Sequence, residues 1–258
     1  MDKIGTRMKE FYELPIRTAL TRRVPAIIRV DGKSFHSFAK KFEKPFDHVL
    51  QIAMQNTALE LCRNIQGCKF AYTQSDEISL LLTDYENINT SAWFDYEVQK
   101  ICSVAASMTT LYFNRAFCNA VNEEGEKLNA YTTAYTNFEN RQKIWKVHQA
   151  ALEKGAMFDA RCFNIPAADV ANYFYWRELD AIRNSIQMIG HTEFTQKELH
   201  KKTGNEIKEM LKKERGIDWD KLPIADQRGS CVRKLGAWNI DVEPPIFKDA
   251  WEYVTMFL

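Results

Sequence analysis

The order in which short apolar runs and long periodic segments alternate is the feature that most constrains the fold of this chain. A strand pattern at 26–31 is followed by a helical pattern at 46–65, a hairpin pattern at 68–83 and a second helical pattern at 93–117. A further strand is predicted at 157–163. In the helical segments apolar residues recur every three or four positions, whereas in strands they alternate or run continuously. The order strand, helix, hairpin, helix, strand predicts an α+β fold with a ferredoxin-like (βαββαβ) unit.

The first strand and the hairpin both carry acidic residues at their ends. Arg29 and Asp31 occupy alternate positions of the first strand and so share one face, and Gly32 follows directly. Asp76 and Glu77 lie near the tip of the hairpin. Carboxylates at strand ends of one sheet suit a pair of Mg²⁺ ions, because magnesium prefers oxygen ligands and two such ions can clamp a phosphoryl displacement. On spacing alone, the common role of aspartate in turns is the favoured interpretation.

Basic residues are concentrated in two segments. The segment from Lys33 to Lys44 follows Gly32, and it could either cradle a triphosphate or form an ordinary basic loop. The helical pattern at 195–215 interleaves lysine with glutamate, which is typical of a solvated helix face but could also follow the phosphates of an RNA. Lys100 borders the apolar stripe of the second helix, so both a phosphate contact and a side chain extending into solvent are open.

Composition limits the domain organisation and the partners. The chain has 258 residues, 45% of them hydrophobic, which is enough for a sizeable core. We predict a palm-like catalytic part with an N-terminal arm at 1–165 and a mostly helical part at 166–258 that packs on it as one compact unit. The segment 119–156 could be an insertion that touches substrate or another subunit. The chain has 35 basic and 34 acidic residues, so its net charge is close to zero. Contact with nucleic acid must therefore come from local basic patches.

The cysteine spacing, the apolar runs and the absence of several known motifs narrow the possible class of protein further. The six cysteines show no CxxC pair and no zinc-ribbon spacing, so we expect free thiols in a reducing compartment. No apolar run has the character of a secretory signal or the length of a membrane span, which predicts a cytoplasmic protein. The motifs of serine hydrolases, zinc proteases, Walker-type nucleotide-binding proteins and Rossmann folds are absent from the sequence.

The acidic segments are part of a longer series of motifs. The series consists of IRVDGKSFH at 28–36, KP at 44–45, QSDEIS at 74–79, FDAR at 158–161, WRELD at 176–180 and RGS at 228–230. In combination these motifs resemble the tRNA(His) guanylyltransferase family, and above all its members that repair tRNA as 3′–5′ polymerases. The resemblance covers most of the chain and implies a polymerase-type palm, although the fold alone does not select among the chemistries of such palms.

The resemblance implies a role for each candidate residue. Asp31, Asp76 and the Gly32 carbonyl would be ligands of two Mg²⁺ ions. Glu77 would either support the metal shell or orient the hairpin, and we count it with Asp31 and Asp76 as a candidate catalytic residue. The residues expected around the nucleotide and its phosphates, besides Asp31, Gly32 and Asp76, are Arg29, Lys33, Ser34, Phe35, His36, Lys44, Ser75 and Lys100.

The implied activity is addition of nucleotides, in the 3′–5′ direction, to a tRNA 5′ end that ATP has activated. ATP and GTP are the expected substrates, Arg161 and Asn184 are expected beside the 5′ end, and the family suggests a homotetramer built as a dimer of dimers. Eukaryotic members that add an extra guanosine carry His-Ile-Asn-Asn after the Trp-Arg helix, where this chain has AIRNS at 181–185. This departure favours templated repair of truncated 5′ ends over guanosine addition. A nucleotidyl cyclase or dinucleotide synthase, and a non-catalytic RNA-binding module, are the alternatives.

Overall fold

The computed structural model describes residues 3–130 and 138–258. The strands are β1 (Ala26–Gly32), β2 (Cys68–Gln74), β3 (Glu77–Leu82), β4 (Phe158–Asn164), β5 (Ser230–Leu235) and β6 (Ala237–Asp241). The α-helices are α1 (Lys3–Met8), α2 (Phe35–Phe38), α3 (His48–Asn64), α4 (Val98–Ala130), α5 (Phe138–Lys154), α6 (Val170–Glu193), α7 (Gln196–Leu199), α8 (Gly204–Met210), α9 (Ile224–Arg228) and α10 (Glu252–Thr255). Shorter 3₁₀ or π turns are Lys9–Glu13, Leu14–Ile16, Trp93–Tyr96, Ala167–Asp169, Leu211–Arg215 and Trp219–Lys221. Within the described ranges, no helix combines the length and the apolar character needed to cross a membrane.

The described residues form one antiparallel sheet of six strands in the order β4-β1-β3-β2-β5-β6. β1 lies between the edge strand β4 and β3 and pairs with both, so that Asp31 lies opposite Glu77 on one side and Asp159 on the other. Side chains directly opposite each other in an antiparallel sheet project from the same face. The register therefore gathers these three acidic residues on one face of the sheet, at the end of β1.

Helices α3 and α4 cover the opposite face. Their buried apolar side chains belong to the same core as Ile28 and Val30, the alternate residues of β1. Phe35, Phe113 and Phe158 contact one another and join the start of α2, the middle of α4 and the first residue of β4. Full burial of one such ring contributes about 1.5–3 kcal/mol. These aromatic contacts support the end of β1 on the face of the sheet that α3 and α4 cover.

Helix α6 and the C-terminal segment cover the face that carries the acids. Ile27, which shares that face with Arg29 and Asp31, belongs to a second core with Phe174 of α6 and Phe247. The second half of α6 packs with α7, α8 and the turn at Trp219 in a third core. Because α6 contributes to both cores, it connects the helical part to the sheet directly above the end of β1.

The helix predicted at 93–117 differs in its bounds. It begins at Val98, because Phe94, Asp95 and Tyr96 have φ angles of 51°, 53° and 60°, outside the right-handed helical region. It continues to Ala130, well beyond the apolar stripe that predicted it.

The structure defines the elements of the segment 119–156, which the sequence leaves as a possible insertion. The segment 119–156 consists of the end of α4 and helix α5, apart from 131–137, which lie outside the described residues. Helix α9 and strand β6 are not predicted from the sequence pattern, since both are short and β6 is only partly buried. The first two residues of the N-terminal arm are likewise outside the described ranges, and the helix that follows, α1, has no buried residue.

Candidate active site

Asp31 and Asp76 lie at the end of β1, near enough for the charge of Asp31 to raise the pKa of Asp76. Asp31 is the penultimate residue of β1, and Asp76 lies in the turn between β2 and β3, next to the neighbouring strand. The Asp76 carboxylate contacts the backbone of Gly32, because a Cβ atom at this position would stand 2.8 Å from Asp76 Oδ2. Only glycine allows this approach. Ser75 has a φ of 51° and donates a hydrogen bond of 3.0 Å to Asp76 Oδ1, which fixes the carboxylate in the turn.

The electrostatics of this pair favour a bound cation. Burial raises the pKa of Asp76, the hydrogen bond from Ser75 lowers it, and the charge of Asp31 raises it further. In the part of the chain that the structure describes, no group of three or more His, Cys, Asp or Glu side chains could hold a metal ion. A cation here would therefore depend on the two carboxylates, the Gly32 carbonyl and oxygens of a substrate. These are all hard oxygen donors, and they fit Mg²⁺.

Glu77 is held by Arg177 of α6. Arg177 Nε and Nη2 each donate a hydrogen bond of 2.7 Å to a different oxygen of the buried Glu77 carboxylate. Burial raises the pKa of Glu77 and outweighs the Arg177 guanidinium, which lowers it. Arg177 also donates to Asp180 at 2.9 Å. Since both carboxylate oxygens of Glu77 are engaged, this arrangement favours a role in orienting the hairpin over a role as metal ligand.

Arg177 is a candidate site residue that sequence reasoning did not assign. The Trp-Arg motif on α6 was the available signal, but a partner 100 positions away in the chain cannot be read from local spacing. Bidentate pairing of this kind fixes orientation as well as distance. Arg177 therefore couples α6 to the hairpin that carries Asp76.

A pocket of about 380 Å³ adjoins Asp76. On its polar side, Gln51 donates to Asp226 at 3.0 Å and Gln55 donates to Ser230 at 2.9 Å, which joins α3 to α9 and β5. Its apolar lining comes from Phe42, Phe46, Leu50, Met54, Ala181 and Met188. A mostly apolar cleft with a few oriented polar groups is typical of a site for a small organic ligand.

Several residues predicted to bind the nucleotide line this pocket. His36, Lys44 and Ser75 are exposed to solvent and line it together with Asp76, so positive charge and hydrogen-bond donors lie near the acids. Asn184, which was expected beside an RNA 5′ end, lines the pocket wall formed by α6. The arrangement can hold a ligand with an apolar or aromatic part in the pocket and an anionic part beside Asp76.

Residues 5–166 match the sequence model of the family described as Thg1, tRNAHis guanylyltransferase. The chain belongs to this family. A bacterial Thg1-like protein in complex with ATP is 38% identical, with a TM-score of 0.82 and 98% of each chain covered. A bacterial Thg1-like protein in complex with GTP is 35% identical, with a TM-score of 0.77 and 99% of each chain covered. The tRNA(His) guanylyltransferase of Saccharomyces cerevisiae is 25% identical over 227 residues, 81% of this chain and 82% of that protein.

Membership of the Thg1 family establishes the general class of this chain. It is a nucleotidyltransferase of the guanylyltransferase type, with the transferase, tRNA-processing and nucleotide-binding character of that family. The sheet with helices on both faces agrees with the fold of the matched bacterial structures.

Some residues of the Thg1 motif at 28–36 lie away from the pocket. Lys33 is exposed and lines a separate groove beside Thr110 and Met157 on the outer side of α4. Ser34 has a φ of 52° and precedes α2, so its backbone conformation forms the turn after β1. Phe35 borders the pocket, but its ring is 6% exposed and packs in the aromatic core. Its main contribution is therefore to support the turn from below.

The structure does not bring Lys100 to the two acids within this chain. Helix α4 passes the end of β1 only at Thr110, whose hydroxyl accepts a hydrogen bond of 3.2 Å from the backbone N of Phe158, the residue opposite Gly32. Lys100 lies nearly three turns earlier, about 15 Å along the helix axis. Its ammonium group lies 5.0 Å from the centre of the Phe94 ring. The predicted phosphate contact of Lys100 is thus not supported by the direction of α4.

Proposed function

We propose that this chain rebuilds truncated 5′ ends of tRNA by adding nucleotides in the 3′–5′ direction, opposite the bases of the pairing strand. The observation that carries the proposal is the position of Asp76, whose carboxylate lies against Gly32 and feels the charge of Asp31, beside a pocket of the size of a nucleoside. Carboxylates arranged in this way are suited to binding the divalent cations that assist in-line displacement at phosphorus. The resemblance to bacterial Thg1-like proteins that bind ATP and GTP supports nucleoside triphosphates as substrates.

The AIRNS segment at 181–185, where this chain departs from the guanosine-adding members, supports repair over guanosine addition. Residues 181, 184 and 185 of the AIRNS segment line the pocket. Ser185 is buried and its hydroxyl accepts a hydrogen bond of 3.0 Å from the Trp219 indole. A change of residues in a substrate-sized pocket alters which substrate fits, because unpaired buried polar groups are costly. Addition of a guanosine to tRNA(His), the activity that names the family, is the runner-up.

We further propose that β1 to β4 with α3 and α4 form a ferredoxin-like palm. The strand order β4-β1-β3-β2 and the antiparallel pairing of all neighbours support it. In this view the palm part comprises 1–165, and the mostly helical part at 166–258 extends the sheet by β5 and β6 and closes the pocket.

The proposed reaction consists of two in-line displacements at phosphorus. In the first, an oxygen of the tRNA 5′-monophosphate attacks the α-phosphorus of ATP, and pyrophosphate leaves. In the second, the 3′-hydroxyl oxygen of the incoming nucleotide attacks the activated 5′ phosphorus, and AMP leaves. Such reactions demand positioning and neutralisation of charge more than covalent participation by the protein.

The residues of the site divide these tasks. Two Mg²⁺ ions held by Asp31, Asp76 and the Gly32 carbonyl would neutralise negative charge on the phosphates. His36, Lys44 and Ser75 would bind the triphosphate at the pocket, as their position beside Asp76 supports.

The quaternary structure and the compartment are part of the same proposal. We propose a homotetramer, built as a dimer of dimers, in the cytoplasm. All six cysteines are free thiols, which agrees with a reducing compartment. Sedimentation equilibrium would show a mass of four chains; a monomer in solution would contradict the assembly.

The decisive assay uses a 5′-monophosphorylated tRNA that lacks its first nucleotide, with ATP, Mg²⁺ and each labelled nucleoside triphosphate in turn. Addition governed by the opposite base supports repair, whereas guanosine addition regardless of that base supports the runner-up. Asp31→Ala and Asp76→Ala should abolish addition while RNA binding is retained. Glu86→Gln, which removes an exposed charge near Lys69, is the control and should be active.

Two other classes give different outcomes in this assay. A nucleotidyl cyclase or dinucleotide synthase would turn over nucleoside triphosphates without RNA. A non-catalytic RNA-binding module would bind the tRNA equally well with and without Asp31, and no nucleotide would be added by the wild type.

A further inference from the structure

Trp176 is an exposed aromatic residue beside the paired acids. It lies on α6 with 52% of its surface exposed, next to Arg177, which binds Glu77. The guanidinium carbon of Arg29 lies 5.8 Å from the centre of the Trp176 ring, and that of Arg177 lies 4.6 Å from it. Aromatic rings combined with arginine form the surfaces on which proteins bind single-stranded nucleic acids.

Arg29 has hydrogen-bonding capacity that the protein leaves unused. Its Nε is buried and has no hydrogen-bond partner among the described residues. Arg29 lies directly opposite Arg161 of β4, and like charges opposite each other are unfavourable. The charge of Glu77 acts on Arg29, and an anion between the two arginines would relieve the repulsion that remains. The nearest acid to Arg161 is Asp159 at 3.0 Å, in a pair too exposed to contribute much. We refer to Trp176, Arg29 and Arg161 as the Trp176 patch.

The Trp176 patch and the pocket lie on different sides of the acids. One row of the sheet runs from β4 through β1 and β3 to β2, with the residues Asp159, Asp31, Glu77 and Gln74. The pocket is lined by Gln74 and by residues of α3 and β5, on the β2 side. The Trp176 patch lies towards β4. When a nucleotide fills the pocket, a second substrate can reach Asp31 from the β4 side.

We propose that the Trp176 patch binds the 5′ end of the RNA substrate, with one nucleobase stacked on Trp176 and phosphates paired with Arg29 and Arg161. The inference rests on the proposed function and assigns the acceptor side of the same site. An RNA end fits the patch better than a protein does, because a single flat ring lies beside guanidinium groups that can pair with phosphates. One of these groups belongs to Arg29, which lies two positions before Asp31 on β1. Stacking tolerates any base, which suits an enzyme that rebuilds different 5′ ends.

The test is RNA binding measured without ATP, so that it does not depend on catalysis. Fluorescence anisotropy of a labelled, 5′-monophosphorylated tRNA that lacks its first nucleotide gives the Kd. We expect Trp176→Ala to raise the Kd about tenfold, the usual contribution of one stacked base. Trp176→Phe should stay within about threefold of wild type because it retains an aromatic face. Arg161→Ala should lower the slope of log Kd against log salt by about one.

The matched control is Trp251→Ala. Trp251 is 55% exposed at the start of α10 and belongs neither to the Trp176 patch nor to the pocket lining, so its removal deletes a similar amount of exposed aromatic surface elsewhere. It should bind the RNA as the wild type does. The KM for ATP should be unchanged in Trp176→Ala, because the nucleotide pocket does not include Trp176.

Three outcomes would overturn the inference: unchanged RNA affinity in Trp176→Ala, an equal loss in Trp176→Phe, or an equal loss in Trp251→Ala. If Trp176→Ala melts well below the wild type, Trp176→Leu replaces it, since leucine retains apolar contact with Tyr173 but offers no flat face. Failure of the proposed function has a different signature. In that case the wild type adds no nucleotide in the repair assay, while the binding series still reports on the Trp176 patch.

Discussion

His148 of α5 and Asp47 at the start of α3 form a buried pair, with 2.7 Å between His148 Nε2 and Asp47 Oδ2. Asp47 also accepts hydrogen bonds from the backbone N of Leu50 at 2.9 Å, as the N-cap of α3, and from that of Glu43 at 3.0 Å. Burial raises the pKa of Asp47, but the hydrogen bond and charge of His148 outweigh it and hold the pKa below its usual value. Because residues 43–47 line the pocket, this pair fixes one rim of the pocket that we propose for the nucleotide.

We predict that His148→Phe loosens this rim. Phenylalanine fills the same space beside Phe42 but leaves the Asp47 carboxylate buried without its partner, which costs about 3 kcal/mol of unfolding free energy. The KM for ATP should rise severalfold with a smaller change in kcat. Urea unfolding and steady-state kinetics measure both effects. His191→Phe, at an exposed position, is the control, and equal behaviour of the two variants would show that the pair does not hold the rim.

We predict that Glu77 and Arg177 act as one unit. Glu77→Gln and Arg177→Met should each lower kcat, because each loosens the hairpin that carries Asp76. The double variant should be little worse than either single one, since the second change removes an interaction already lost. A double-mutant cycle in kcat, repeated at several Mg²⁺ concentrations, measures this coupling. A raised Mg²⁺ requirement in Glu77→Gln but not in Arg177→Met would instead identify Glu77 as a metal ligand.

Gly32→Ala should lower activity about 100-fold, because the new methyl group would clash with the Phe35 ring and stand 2.8 Å from Asp76 Oδ2, so that the buried ring and the carboxylate must both shift. The measurement is kcat in the repair assay together with the melting temperature. Gly204→Ala is the matched control, since a Cβ there meets only Ile186 Cδ1 at an ordinary 3.6 Å. Near-normal activity of Gly32→Ala would mean that Asp76 need not contact the backbone at this point.

Stability should fall as the pH rises from about 4.5 to about 7 because of Glu178. This residue is fully buried, its Oε2 accepts a hydrogen bond of 3.1 Å from the backbone N of Phe247, and Arg228 Nε is 3.8 Å from its Oε1. Burial raises the pKa of Glu178 to about 7, the hydrogen bond from Phe247 and the charge of Arg228 lower it, and that of Asp249 raises it.

Because the pKa in the folded chain lies above the usual 4.5, the folded chain binds the proton more tightly than the unfolded chain. This stabilisation is complete below pH 4.5 and is lost as the pH passes through about 7. For a shift of this size it amounts to about 3 kcal/mol. Chemical denaturation across this pH range measures it, and Glu178→Gln should flatten the profile. An equally steep profile in Glu178→Gln would assign the pH dependence to other groups.

The relation between sequence and structure differs between the elements and the site. Helix α3 and the hairpin of β2 and β3 follow from local periodicity, because the apolar spacing of one element is set by its own geometry. The same reasoning does not predict that α4 begins only at Val98, since left-handed residues before it depend on contacts with the rest of the chain. Strand β6 is recognised only by its pairing with β5.

The sequence by itself determined the order of β1, α3, β2, β3, α4 and β4 and placed Asp31, Gly32 and Asp76 at chain turns, because these are properties of neighbouring residues. Only the tertiary structure decided that Arg177 binds Glu77 and that Lys100 lies far along α4 from the acids. It also decided that the solvent-exposed Trp176 ring lies beside Arg29. Each of these relations joins residues that are distant in the chain. Their geometry is set by the register of the sheet and the packing of α4 and α6, which no local pattern contains.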